Sequence, residues 1–233
     1  NNVAYCYRHH IHKNQIAVSS LLNFKAQCKS KSKSTVRILL ACEESQAVCK
    51  EFRKLGHEAF SAELLECSGD HPEWHLQGDV LEVINRGWDM MIAFPPCTHL
   101  AVSGARHFPE KIKDGRQQEG IEFFMKMIEA PIPKIAVENP IGIMSTVYRK
   151  PDQIIHPYYF GDSFSKSTCL WLKGLKPLVH YSADDVPMFP ELVTHVDKGE
   201  FVTFRSGKRM PKWYNDASGN GHVRSKTFLG IAK

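Results

Sequence analysis

From Val36 onward, short apolar runs alternate with stretches of helical periodicity, and this alternation most restricts the fold. Val36-Arg37-Ile38-Leu39-Leu40-Ala41 is mostly apolar and too short for a buried helix, so it reads as a buried parallel strand. Cys42 to Ser45 forms a turn, with Ser45 a good helix N-cap. Val48, Phe52 and Leu55 then recur on one helix face, which Gly56 ends. Glu58 to Ala62 reads as a second strand closing at Glu63, and Leu76 to Asp79 as a short third strand. A brief helix is expected over Leu81 to Asn85. Trp88 to Phe94 is a buried strand stopped by Pro95-Pro96, and Ile121, Phe124, Met125 and Ile128 mark another helix face. Lys134 to Glu138 is a further strand, cut off by Pro140. Alternation of this kind predicts an α/β, Rossmann-like, mostly parallel doubly wound sheet with helices on both faces. Such sheets bind ligands beyond the carboxyl ends of their strands.

The pattern fades after Ile154. Ile154 to Phe160 and Thr168 to Leu172 are expected to pair as strands, and Glu200 to Phe204 with Lys208 to Trp213 to form a hairpin around Arg205-Ser206-Gly207. Phe228 to Ala232 reads as a starting helix, and no internal repeat is visible. Residues 1–34 differ in composition, with histidines and tyrosines followed by Lys25, Lys29, Lys31 and Lys33. They are expected to form a non-core extension, disordered where like charges repel.

Composition narrows the functional classes. The chain has 233 residues, 42% hydrophobic and 24% charged, which suits a globular domain with a full core. No apolar run is long enough to cross a bilayer, and no secretory signal is visible in the first 34 residues. The net charge of +5 permits a nucleic-acid partner without requiring one. The seven cysteines, Cys6, Cys28, Cys42, Cys49, Cys67, Cys97 and Cys169, include no CxxC pair. Reduced thiols are therefore expected, with no metal site. His71 and His75 lie four apart, but Pro72 between them and the lack of a third ligand favour a loop.

Three strand ends carry groups with chemistry. Glu63 lies 22 positions beyond Ala41, a spacing at which an acid can hold ribose hydroxyls, although a surface glutamate is the commoner reading of such a residue. Cys97 follows two prolines that fix the backbone, which makes it a candidate nucleophile or, equally, an inert buried thiol. Glu138 follows Cys97 by 41 residues, and strand–helix–strand geometry would bring both to one crevice. A carboxyl group there can protonate or hydrogen-bond a heterocycle nitrogen. His99, Arg106 and His107 follow the thiol, as phosphate clamps or as an ordinary exposed loop.

With these residues in view, residues 36–233 resemble the small cytosine-C5 DNA methyltransferase-like proteins of phages and bacterial genomes, a class I S-adenosylmethionine-dependent family. Pro95-Pro96-Cys97 resembles the family's nucleophile loop, and Glu138-Asn139-Pro140 its Glu-Asn motif. Val36 to Ser45 resembles its cofactor loop, Glu63 its ribose acid and Gly78-Asp79-Val80 its adenine-side loop. Ser165 to Thr168 lies where the family carries a polar motif facing the base.

The resemblance implies Cys97 and Glu138 as catalytic groups. It implies Pro96, Thr98, Asn139, Lys166 and Thr168 at the substrate. Ala41, Cys42, Glu43, Ser45, Glu63, Asp79, Val80, Phe94 and Pro95 would line an S-adenosyl-L-methionine site. It also implies a DNA partner and a cytoplasmic setting in a bacterial or phage-infected cell. Two departures accompany it: Ala41 to Ser45 holds no glycine, and little chain separates Trp171 from Lys233 for a target-recognition domain. Enzymes of this fold acting on a free nucleotide or another base, and a non-catalytic nucleic-acid-binding protein, are the alternatives.

Overall fold

The computed structural model describes residues 35–218, 220 and 228–232. The extension expected over residues 1–34 lies outside them. From Val36 onward the chain forms one compact unit.

Its centre is a seven-stranded sheet in the order β3-β2-β1-β4-β5-β7-β6. The strands are β1 (Arg37–Ala41), β2 (Glu58–Glu63), β3 (His75–Gln77), β4 (Met90–Ala93), β5 (Lys134–Pro140), β6 (Gln153–Ile155) and β7 (Thr168–Lys173). Strands β3, β2, β1, β4 and β5 pair in parallel, whereas β7 runs antiparallel to both β5 and β6. The α/β, mostly parallel architecture is therefore as the alternation implies.

Successive residues of β1 face opposite sides of the sheet, and both sides are buried, so the strand is apolar after Arg37. Leu39 and Ala41 face one core, with Val83 of α2 (Val80–Val83) and Phe124 and Met127 of α4 (Arg116–Ile128). Ile38 and Leu40 face a second core, with Val48 and Cys49 of α1 (Ala47–Lys54). Ala232 of α7 (Leu229–Ala232) packs on the same second core, so helices cover both faces. Trp171 on β7 is fully buried and meets Phe124 edge-on, with ring centroids 5.1 Å apart.

The remaining helices are α3 (Phe108–Lys113), α5 (Met144–Val147) and α6 (Lys212–Asp216). Strands β8 (Phe201–Thr203) and β9 (Arg209–Pro211) form the separate hairpin expected around Gly207.

Several boundaries differ from expectation for local reasons. Gln46, in the left-handed conformation, occupies the N-cap of α1 in place of Ser45, whose Oγ accepts only a long 3.4 Å bond from the Ala47 amide. Strand β6 stops at Ile155, because Pro157 to Phe160 coil into a 3-10 turn. Strand β5 continues through Pro140, which pairs with Thr168 although it donates no amide hydrogen. The His71–His75 segment is a 3-10 turn entering β3, and no metal-ligating cluster exists among the described residues. No described helix is long and apolar enough to cross a membrane.

Candidate active site

Parallel register brings the loops after β1, β2, β4 and β5 to the same end of the sheet. Ala41 pairs with Ala62 and Ala93, and Ala93 with Val137, so the residues that follow emerge side by side. The strand order reverses between β1 and β4, which places a crevice there.

The loop after β4 carries Pro95, Pro96 and Cys97. Asn139 of β5, only 1% exposed, donates from Nδ2 to the Pro95 carbonyl at 2.9 Å. This bond crosses from one strand end to the next and fixes the thiol loop beside Glu138. The Asn139 Oδ1 is buried without a partner, an acceptor held ready at the base of the loop.

Cys97 Sγ sits on a half-buried residue. Burial pushes its pKa up, the Glu138 charge adds to that rise, and the Lys166 charge opposes it. Burial likewise raises the Glu138 carboxyl, again against Lys166. Thiol, carboxyl and ammonium thus share one electrostatic neighbourhood, although they arrive from three separate segments. A carboxyl raised in this way holds a proton more readily, which suits donation to a ring nitrogen. Lys166 lowers the thiol pKa, so it favours the nucleophilic thiolate.

Beyond Cys97 the chain is bolted down. The carbonyl of Cys97 accepts from the amides of Leu100 and Ala101. Lys111 of α3, only 8% exposed, donates to the Thr98 carbonyl at 2.6 Å, and Gln117 of α4 donates to the His99 carbonyl at 3.2 Å. Residues after β5 hold the other side: Val102 donates to the Ile141 carbonyl, and Ile143 to that of Leu100. Gly142 makes this approach possible, since a Cβ there would lie 2.4 Å from the Leu100 oxygen. Lys111 and Gln117 escape motif and periodicity, because each looks like an ordinary polar position on a helix.

A second group gathers at the tips of β1, β2 and β3. Cys42 stands at φ 61, a conformation usually given to glycine, so the turn is made without one. Its amide donates to the Ala62 carbonyl at 2.8 Å. Burial, then the charges of Glu63 and Asp79, push its thiol up to about 12. The charges of those two carboxylates therefore both reach the end of β1. Glu63 Oε1 also accepts from the Leu64 amide at 2.7 Å. Asp79 Oδ1 caps α2 through the Leu81 amide at 2.9 Å, and Val80 is buried in the first turn of that helix.

Glu43 turns away from the crevice. It is 4% exposed, and its carboxylate accepts from the amides of Val48 and Cys49 at 2.6 and 3.2 Å, so it closes the N-terminus of α1. Gln46 is fully buried and latches the same loop, donating to the His71 carbonyl at 2.8 Å and accepting from its amide at 3.1 Å. Phe94 packs on the second core, and Ser45 is half-buried at the start of α1. Pro96 and Thr98 are exposed beside the thiol, whereas Thr168 is buried at the start of β7.

No protein-family model matches the chain, and no curated protein matches it. The fold and the site define it only as an α/β protein with a mostly parallel sheet, in which a thiol and a carboxyl sense one another.

Proposed function

We propose that this protein is a class I methyltransferase that uses S-adenosyl-L-methionine to methylate C5 of cytosine in DNA, with Cys97 as the nucleophile. The reading rests on one observation above all: Asn139 ties the Cys97 loop to the strand end that carries Glu138, and the Glu138 charge acts on the thiol. The sheet, with its antiparallel β7 between β5 and β6, agrees with that class.

The residues present fit the cofactor. Glu63 and Asp79 converge on the β1 tip, where Glu63 would grip the ribose hydroxyls and the Asp79–Val80 turn would flank the adenine. The positive φ of Cys42 replaces the glycine that the loop lacks. Bound there, S-adenosyl-L-methionine supplies an electrophilic methyl group on a sulfonium.

The chain's own groups supply the rest. The Cys97 thiolate adds to C6 of the cytosine, forming an S–C bond and pushing the ring electrons toward C5. Glu138 donates a hydrogen bond or proton to N3, drawing off the charge that develops there. C5 takes the methyl group, a base or water removes the C5 proton, and the C6–S bond breaks to restore both the ring and the thiolate. The Lys166 charge opposes the rise in the Cys97 pKa, and so favours the thiolate that opens and closes this sequence. In duplex DNA the cytosine must leave the stack, at a cost of a few kcal/mol.

Two measurements test the proposal. Nucleosides from cells expressing the protein should contain 5-methylcytosine by mass spectrometry, and cells expressing Cys97→Ala should not. Glu63→Ala should weaken calorimetric binding of S-adenosyl-L-methionine by roughly tenfold or more, the scale of a charge-assisted hydrogen bond. Methylation retained by Cys97→Ala would refute the mechanism.

A further inference from the structure

The β8–β9 hairpin carries a run of positive charge outside the site. From Phe201 to Pro211 the chain contains Arg205, Lys208 and Arg209 and no acidic residue. Every residue from Thr203 to Arg209 is exposed, including Phe204 at 41%. The turn is well defined, with Phe204 donating to the Lys208 carbonyl and Gly207 to that of Phe204, each at 2.9 Å.

Charge is balanced at the root of the hairpin and not at its tip. Lys212 and Glu200 form an ion pair at 2.7 Å where the strands begin and end. Among the described residues, neither Arg205, Lys208 nor Arg209 forms an ion pair. The Arg209 guanidinium instead lies over the Phe201 ring, 5.1 Å from its centroid. Edge cations also deter strand-to-strand aggregation. That role places lysines along a strand, whereas here two arginines and a lysine surround the turn beside an exposed aromatic ring.

The root is anchored to the segment that enters the site. Gly199 packs so closely on Ser163 that a Cβ would stand 2.5 Å from its carbonyl oxygen. Trp213, just beyond β9, donates from its indole to the Ser165 carbonyl at 3.1 Å. Lys166 is the next residue, and its charge acts on both Cys97 and Glu138. The root of the hairpin is therefore in direct contact with the segment that carries Lys166.

We propose that this hairpin is the surface that holds duplex DNA, with its basic turn set into the major groove. The inference rests on the methyltransferase reading for its purpose but not for its physical content. Two paired strands about 4.8 Å apart, with their side chains, suit a groove about 12 Å wide. The deep, narrow major groove of A-form RNA does not admit such a ribbon. Arginine pairs well with phosphate and with guanine edges, and an exposed Phe204 suits contact with a thymine methyl.

The test is fluorescence anisotropy of the full chain with duplex DNA and duplex RNA across a salt series, without cofactor. The variant R205Q/K208Q/R209Q should bind DNA at least roughly tenfold more weakly near 100 mM salt, with a log–log salt slope shallower by about 2 to 3. R205K/R209K, which keeps the charge, should retain most of the affinity, and duplex RNA should bind more weakly than DNA. Unchanged affinity and slope in the glutamine variant, at an unchanged melting temperature, would overturn the proposal, as would equal binding of RNA. A second arm separates it from the catalytic reading. Hairpin-dependent DNA binding with no methyl transfer leaves the surface standing and the enzyme refuted. Methyl transfer to duplex DNA that the glutamine variant performs at the wild-type KM does the reverse.

Discussion

The side-chain amide of Asn139 and the backbone carbonyl of Pro95 meet at 2.9 Å, so the end of β5 holds the loop that follows β4. Replacing Asn139 by Ala strands the Pro95 oxygen in a buried position. Leaving such an acceptor unsatisfied costs about 1–3 kcal/mol. The Asn139→Ala variant should therefore unfold at lower denaturant. It should also lose methyl transfer by more than tenfold, roughly, since that loss corresponds to only about 1.4 kcal/mol of transition-state stabilisation. Affinity for S-adenosyl-L-methionine, measured by calorimetry, should stay near wild type, because the Glu63 end of the crevice is untouched.

Cys97 offers a pH signature that needs no substrate. Its thiol is raised by burial and by the Glu138 charge, so alkylation by iodoacetamide should accelerate with pH only above the range of an ordinary cysteine. Glu138→Gln removes the negative charge and should move that rise to lower pH. Lys166→Met removes the opposing positive charge and should move it to higher pH. Identical profiles in all three proteins would mean that these groups do not sense one another.

Much of this arrangement is legible in the residue pattern itself. The apolar run of β1 and the helical face of Phe124 and Ile128 are periodic signals, and both elements stand where periodicity puts them. That Glu63, the Cys97 loop and Glu138 lie toward the same end of the sheet follows from the parallel register that such alternation imposes. Tertiary bonds are not legible in this way. Lys111 and Gln117 hold carbonyls of a loop many residues away, and local sequence carries no trace of a contact at that separation. Glu43 shows the same limit from the other side. Its place in the first loop suits a ligand contact, yet the open amides at the start of α1 capture its carboxylate. Ile154 to Phe160 is rich in β-favouring side chains, but Pro157 sets a 3-10 turn instead of a longer strand.

Gly142 carries a steric prediction. A methyl group there would press on the Leu100 oxygen at 2.4 Å and on its carbonyl carbon at 3.0 Å, both backbone atoms with little freedom to move. Gly142→Ala should break the bridge between Ala101 and Gly142 and loosen the segment after Cys97. Overpacking of this kind costs about 1–3 kcal/mol. The variant should melt earlier, and iodoacetamide should reach Cys97 faster than in wild type at the same pH. A melting temperature and an alkylation rate both equal to wild type would show that the loop does not depend on this contact.

Glu43 predicts how stability varies with pH. Burial drives its pKa from 4.5 up to about 7, and the hydrogen bonds from the Val48 and Cys49 amides only partly offset that. The folded protein therefore holds a proton on Glu43 over a range in which the unfolded chain has already released it. Stability rises with pH only where the unfolded state binds more protons, and here the folded state binds more. The contribution is thus complete below pH 4.5 and is lost as pH climbs through about 7. At about 1.4 kcal/mol per pKa unit, the full swing is on the order of 3 kcal/mol. Glu43→Gln cannot ionise and still presents an oxygen to the amides of Val48 and Cys49. Urea unfolding of wild type and variant at pH 5 and pH 8 should show the variant gaining relative stability at the higher pH. A constant difference between the two proteins would mean that Glu43 keeps its ordinary carboxylate pKa while capping the helix.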